Sequence, residues 1–231
     1  MPQLIAMIIV VVGAMVYMFQ TFGGTGDKIE GIAQKTSVIT EIMNIKNGLK
    51  LAARSGNIGD EVKDDKTNTL YGLATLAYFP EQINDQIRYT RGTTTLRTGT
   101  TYNKYFALSF GGEDSTATNS AMLISLVAVT PKMIPGIYVE FQENGSLSAN
   151  GGFLESQIAN DLKDIAYIDR AAEAVPASVT LRGTGTALNK RLPEETNPTA
   201  TQLSDGKFII YFNDFGSNEV AVDATATPVV P

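Results

Sequence analysis

Leu4 to Phe22 reads LIAMIIVVVGAMVYMFQTF, nineteen residues in which Gln20 and Thr21 are the clearly polar members. As a helix at about 1.5 Å per residue the run would extend roughly 29 Å, close to the hydrocarbon thickness of a bilayer. It is apolar all round rather than along one stripe, which suits lipid or a crowded bundle of like helices. A buried helix of a soluble domain is the alternative, but a run so near one end has little chain to bury it. A secretory signal peptide fits poorly, because no Lys or Arg precedes the stretch and no A-x-A-like site follows it. No charge occurs before Asp27. Membrane helices normally carry basic residues on their cytoplasmic flank, and here only Met1, Pro2 and Gln3 precede the run. One reading of that pattern is a chain whose basic leader was removed just ahead of Met1, which would then be a processed amino terminus.

Downstream, Gly23, Gly24 and Gly26 crowd three glycines into four residues. Each costs a helix about 1 kcal/mol relative to Ala, so a hinge is expected there. Helical signals resume from Asp27 to Arg54. Ile29, Ile32, Ile39, Ile42, Met43, Leu49 and Ala53 recur mainly at spacings of three, four or seven and predict one apolar stripe. Gln34, Lys35, Glu41, Lys46, Asn47 and Lys50 are expected on the other faces. Lys46, Lys50 and Arg54 complement the helix dipole near its end, and Gly56 is a natural stop. The organisation expected is an apolar helix with a glycine hinge over 1–26, an amphipathic half over 27–55, and a globular head over 56–231.

The head holds 13 basic and 21 acidic residues, whereas 27–54 carries a net charge of +2. Strands are predicted at Tyr105–Phe110, Met122–Thr130, Gly136–Gln142, Ser178–Arg182 and Lys207–Phe212, each rich in β-branched or aromatic residues. Leu70 to Phe79 reads as a helix or a strand ending at Pro80. Phe153 to Val175 reads as a helix closed by Pro176. The fold class expected is α+β, with an antiparallel sheet packed on the amphipathic half-helix and on the 153–175 helix.

The 231 residues contain no His, Cys or Trp. Ser-His-Asp and Cys-His catalysis are therefore closed to the chain, as are disulfides, thiol redox chemistry and structural zinc sites.

An apolar half-helix, a glycine-rich break and an amphipathic half-helix ahead of a β-rich head together resemble a type IV pilin, particularly the larger-headed type IVb major pilins. The matching stretches are MPQLIAMIIVVVGAMVYMFQTF (1–22), GGTG (23–26) and IEGIAQKTSVITEIMNIKNGLKLAARSG (29–56). The resemblance implies a leader cut by a prepilin peptidase and methylation of the Met1 amino group. It implies a single-pass protein that waits in the inner membrane until pilus assembly machinery draws it into an extracellular helical filament of identical subunits. Such filaments serve adhesion, motility or uptake, as structural proteins without catalysis or cofactor. Most such subunits carry a glutamate near the start of the apolar helix, where this chain has Ile5, and many close a carboxyl-terminal loop with a disulfide, which this chain lacks. Either the axial register is then set by packing alone, or the chain is a divergent member or lies outside the family. The polymerising core would be Leu4, Ile5, Ile8, Ile9, Val12, Val16 and Phe19, because outside lipid only other copies can hide that surface.

Two other readings remain open from the residues. One is a pseudopilin of a secretion system. The other is a membrane-anchored exported enzyme or binding domain that uses carboxylates or the Ser204-x-x-Lys207 pair. That pair matches a nucleophile–base spacing, yet Asp205-Gly206 within it is a common turn. Glu61, Asp64 and Asp65 could offer oxygen ligands to a cation, but the intervening Lys63 and Lys66 favour a solvated loop; Asn213-Asp214 with Glu219 is a similarly weak set, and neither has the spacing of a calcium loop. Arg88, Arg91, Arg97 and Lys104, interleaved with Tyr89, Tyr102 and Tyr105, could hold a nucleic acid strand. In an acidic protein, contacts with an acidic neighbouring head are the favoured reading of that stretch. Asn144-Gly145-Ser146 matches a glycosylation sequon, but between two expected strands the Asn-Gly hairpin turn is the favoured reading.

Overall fold

The computed structural model describes residues 31–90, 93–97, 102–107, 121–142, 145–182 and 191–225. Helix α1 covers 31–54, followed by α2 (Leu70–Thr75) and α3 (Glu81–Arg88). Strands β1 (Tyr105–Phe106), β2 (Met122–Leu126) and β3 (Gly136–Phe141) come next, then α4 (Gly151–Leu162), β4 (Ala166–Asp169) and β5 (Lys207–Phe212). The five strands form one antiparallel sheet in the order β1-β2-β3-β5-β4. The molecule is α+β, as its sequence predicts.

Alternation along the strands builds two faces. Ile124, Ile137, Val139, Phe208, Ile210 and Phe212 point to one side, where they join Val38, Ile42, Ile45 and Leu49 of α1 in a single apolar cluster. Leu70, Leu73, Ile83 and Ile87 of α2 and α3 and Leu154, Ile158 and Leu162 of α4 complete that layer. On the opposite face Val127, Met133, Tyr138, Ile209 and Tyr211 form a smaller cluster. Its cover is irregular chain carrying Ala172, Val179, Leu181 and Leu192. Gly136 is needed here, since a Cβ on it would stand 2.3 Å from the Tyr211 ring. Gly48 plays the same part on α1: its Cβ would meet the Phe79 ring at 2.3 Å.

Local chemistry explains the short helices. Thr69 caps α2, its hydroxyl accepting from the Gly72 amide at 3.2 Å. Pro80 precedes the first turn of α3, where its missing N–H costs nothing. Buried Asn84 then ties α3 back to Phe79, donating to its carbonyl at 2.6 Å and accepting from its amide at 3.3 Å.

Several sequence expectations are corrected. The stretch 153–175 is not one helix, because α4 ends at Leu162 and Ala166–Asp169 is a strand on β5. Ala166 and Ile168 face the helices while Tyr167 faces away, a period of two that continues the spacing of Ile158, Leu162 and Ile165 closely enough to pass for helix. Ser178–Arg182 is not a strand, and makes a single bridge, from Leu181 to Pro193. Gly145 leads into a 3-10 turn, Ser148–Asn150, and α4, so no hairpin forms there; the neighbours of β3 are β2 and β5. The buried line of α1 runs through Val38, Ile42, Ile45, Leu49 and Ala52, whereas Ile32 is 57% exposed. Helix α3 goes unforeseen in the sequence, having only Ile83 and Ile87 to mark its face.

Candidate assembly surface

The residues that the sequence singles out for polymerisation, Leu4, Ile5, Ile8, Ile9, Val12, Val16 and Phe19, lie outside the described residues, as do Gly23, Gly24, Gly26 and Met1. Among the described residues no helix is long and apolar enough to cross a membrane. What the structure does describe is the platform that follows them.

At 100° per residue, Ile32, Thr36, Thr40, Asn47 and Leu51 share one face of α1, opposite the buried line. All five are exposed. The hydroxyls of Thr36, Ser37 and Thr40 turn back to the carbonyls four residues earlier, at 3.1, 3.1 and 2.8 Å. Their donors are thereby used within the helix, which leaves a low, weakly polar surface with an Ile at one end and a Leu at the other.

Four sets of contacts fix this helix to the head. Glu41, nearly buried, accepts a hydrogen bond from the hydroxyl of Tyr105 on β1. Burial, with the carboxylate beside it, holds the Tyr105 phenol far above its ordinary value, so it stays a donor. Lys46, 5% exposed, donates to Asp214 and lies 5.1 Å from the centre of the Phe212 ring. Lys50 donates to the Asp214 carbonyl at 3.0 Å and stands 3.5 Å from Glu219, to which Arg54 also donates. At the other end, Lys35 pairs with Asp161 at 2.8 Å and Gln34 accepts from Asn150 at 3.1 Å, binding α1 to α4.

Glu41 and Lys46 thus correct the sequence reading, which places them on outward faces. Their helical positions flank the buried line, and a charge there has to find a partner. That position was the available signal; the identity of the partners, up to 168 residues away, was not. Asp214 and Glu219 also change role. They are turned onto three cations, so they serve α1 rather than a metal. Burial pushes the Glu219 carboxyl up, but the Gly216 amide, Arg54 and Lys50 together hold it below the usual carboxylate range.

The other candidates resolve as turns and internal pairs. Ser204 ends a 3-10 turn with its hydroxyl on the Thr201 carbonyl at 3.3 Å, and the Lys207 amide donates to Asp205 at 2.9 Å. Gly206 between them has φ +74°. Glu61, Asp64 and Asp65 are exposed on a loop. Arg88 lies over its neighbour Tyr89 at 5.1 Å and Arg97 over Tyr102 at 5.4 Å, while Tyr105 is buried. These aromatics are occupied by cations of their own chain, and Arg91 and Asn144 lie outside the described residues. No family model, curated protein or solved structure matches the chain.

Proposed function

We propose that the protein is the structural subunit of a type IV pilus-like extracellular filament, polymerising through residues 4–22 and supporting adhesion, motility or uptake. The observation that carries this reading is α1: a helix with one face buried under the sheet and its other face exposed, eight residues after the mostly apolar run 4–22. A membrane anchor alone needs no such splint between itself and the head. A filament does, because load applied to the apolar segment has to reach the head without bending it away. The anchors at Glu41, Lys46, Lys50 and Arg54 supply that stiffness.

The apolar run supplies the drive. Outside a bilayer each large apolar side chain gains roughly 1.5–3 kcal/mol on burial, and only neighbouring copies can bury it. Contacts of this kind that repeat without closing produce a helical fibre. In this reading the subunit resides in the inner membrane before pilus assembly machinery extracts it.

The test is electron microscopy of material sheared from producing cells, with the chain identified in it by mass spectrometry. Thin uniform fibres containing the chain are expected. Ile9→Glu places a carboxylate in the bundle and should abolish both fibres and membrane residence. Normal fibres from that variant would sink the reading.

A further inference from the structure

The sheet face turned away from α1 carries a cavity of about 260 Å³, floored by Ile209 and Tyr211 of β5 and walled by the 172–180 and 193–196 segments. At that volume, just under the range of pockets that take drug-sized ligands, it suits a small group. Its walls are held in place before any ligand arrives. The Glu194 amide donates to the Thr180 carbonyl at 2.9 Å, the Arg182 amide to the Leu192 carbonyl at 2.8 Å, and the Gln202 side chain to the Ala171 carbonyl at 3.0 Å.

Pro176, Val179, Pro193 and Ile209 form apolar patches in a mixed lining that also carries the hydroxyls of Ser178 and Thr180 and two carboxylates, Asp169 and Glu194. Asp169 accepts from the Thr196 hydroxyl and the Ala171 amide through one oxygen, which leaves the other without a donor among the described residues. Glu194 is exposed and in no ion pair among them. Among the described residues no cation lines the space. Arg182 is paired with Glu195 at 2.7 Å and lies over Tyr167. On the floor, Tyr211 is 1% exposed, its ring stacked on Tyr167, and its hydroxyl has no hydrogen-bond partner among the described residues. The hydroxyl borders the cavity and is not sealed from it, so water or a ligand can meet it there.

We infer that this cavity binds a primary ammonium group on a short unbranched apolar stem. The stem would lie against Pro176, Val179 and Ile209. The ammonium would meet Asp169 and Glu194 and donate a hydrogen bond to the Tyr211 hydroxyl oxygen. A cation fits better than a neutral polyol, since two carboxylates with no cationic partner among the described residues gain more from a positive charge than from a hydroxyl. The group is either a free alkylamine or the side chain of a lysine in a peptide. The inference does not depend on the filament reading.

The test titrates the full chain in detergent micelles by calorimetry, with n-butylamine and with N-acetyl-lysine N-methylamide. The uncharged n-butanol serves as control. At least one amine should bind saturably in the millimolar range expected of so few atoms, and n-butanol at least about tenfold more weakly. Tyr211→Phe keeps the ring stack and should weaken amine binding about fivefold without moving the melting temperature. Asp169→Asn with Glu194→Gln should weaken it at least about tenfold. Butylamine binding alone identifies a free amine as the ligand, whereas binding of the lysine amide admits a peptide side chain. The inference is overturned if neither amine binds, if n-butanol binds equally well, or if Tyr211→Phe binds as tightly as the native chain.

Discussion

The two faces of the sheet are built by different means. One is covered by four helices whose apolar side chains fit between the strands, and Val38, Ile42, Ile45, Leu49, Ile137 and Ile210 are all wholly buried there. The other is covered by irregular chain, tied down through backbone pairs such as Leu181 with Pro193, and it leaves a cavity. Helices bring a regular row of side chains and close-pack with little void. A loop covers what its few apolar residues can reach. Stability is therefore concentrated on the α1 side, while the freedom to hold a small guest lies on the other.

Paired core truncations test that contrast most strongly. Ile42→Ala should cost about 3 kcal/mol in urea unfolding, since Ile42 sits in the packed layer, whereas Val179→Ala in the half-buried cover should cost about 1 kcal/mol or less. Equal losses would remove the distinction between the faces. A smaller effect is expected at the ionic clasp. Asp214→Asn leaves Lys46 charged in a nearly closed site and should cost about 2 kcal/mol, little changed by salt. Arg54→Ala removes a side chain that is 64% exposed, and its smaller loss should fade as salt is added. If both losses respond to salt alike, Lys46 is more solvated than its position suggests.

The smallest expected effect concerns pH. The Glu219 carboxyl is lower in the folded state than its ordinary 4.5, so its contribution is complete above that value and is lost as pH falls through the lowered folded value. Glu155, wholly buried in α4, behaves in the opposite sense. Burial pushes its carboxyl up against the pull of Arg170 and the Gly206 amide, so protonation favours the folded state. Unfolding measured between pH 6 and 3 should show a shallower loss of stability for Glu219→Gln than for the native chain. Parallel profiles would mean that the clasp does not sense acid through Glu219.

Much of this fold is legible in local pattern. KFIIYF at 207–212 alternates between two apolar faces with aromatic and β-branched residues, and β5 has the bounds that pattern predicts. Strands β2 and β3 fall within their expected stretches for the same reason. The failures are equally physical. Residues 158–168 satisfy a helical and a strand period at once, and the choice is made by an empty edge on β5 that no local window contains. Glu41 and Lys46 look like solvent residues because most charges are. Tyr105 and Asp214, distant in sequence, are what make their burial affordable. The cavity was illegible altogether, because its lining comes from four separated stretches, none of which resembles a motif.

The clasp at the end of α1 also determines how the molecule bears load. Residues 221–224 continue from Glu219 along the chain just past α1, with the Val222 amide on the Ile58 carbonyl at 2.8 Å and the Ala224 amide on Asp60 at 2.9 Å. Lifting α1 from the head therefore has to undo these bonds as well as the ion pairs at Lys46, Lys50 and Arg54. The helix and the segment after Glu219 are fastened to each other, so a load on one is a load on both.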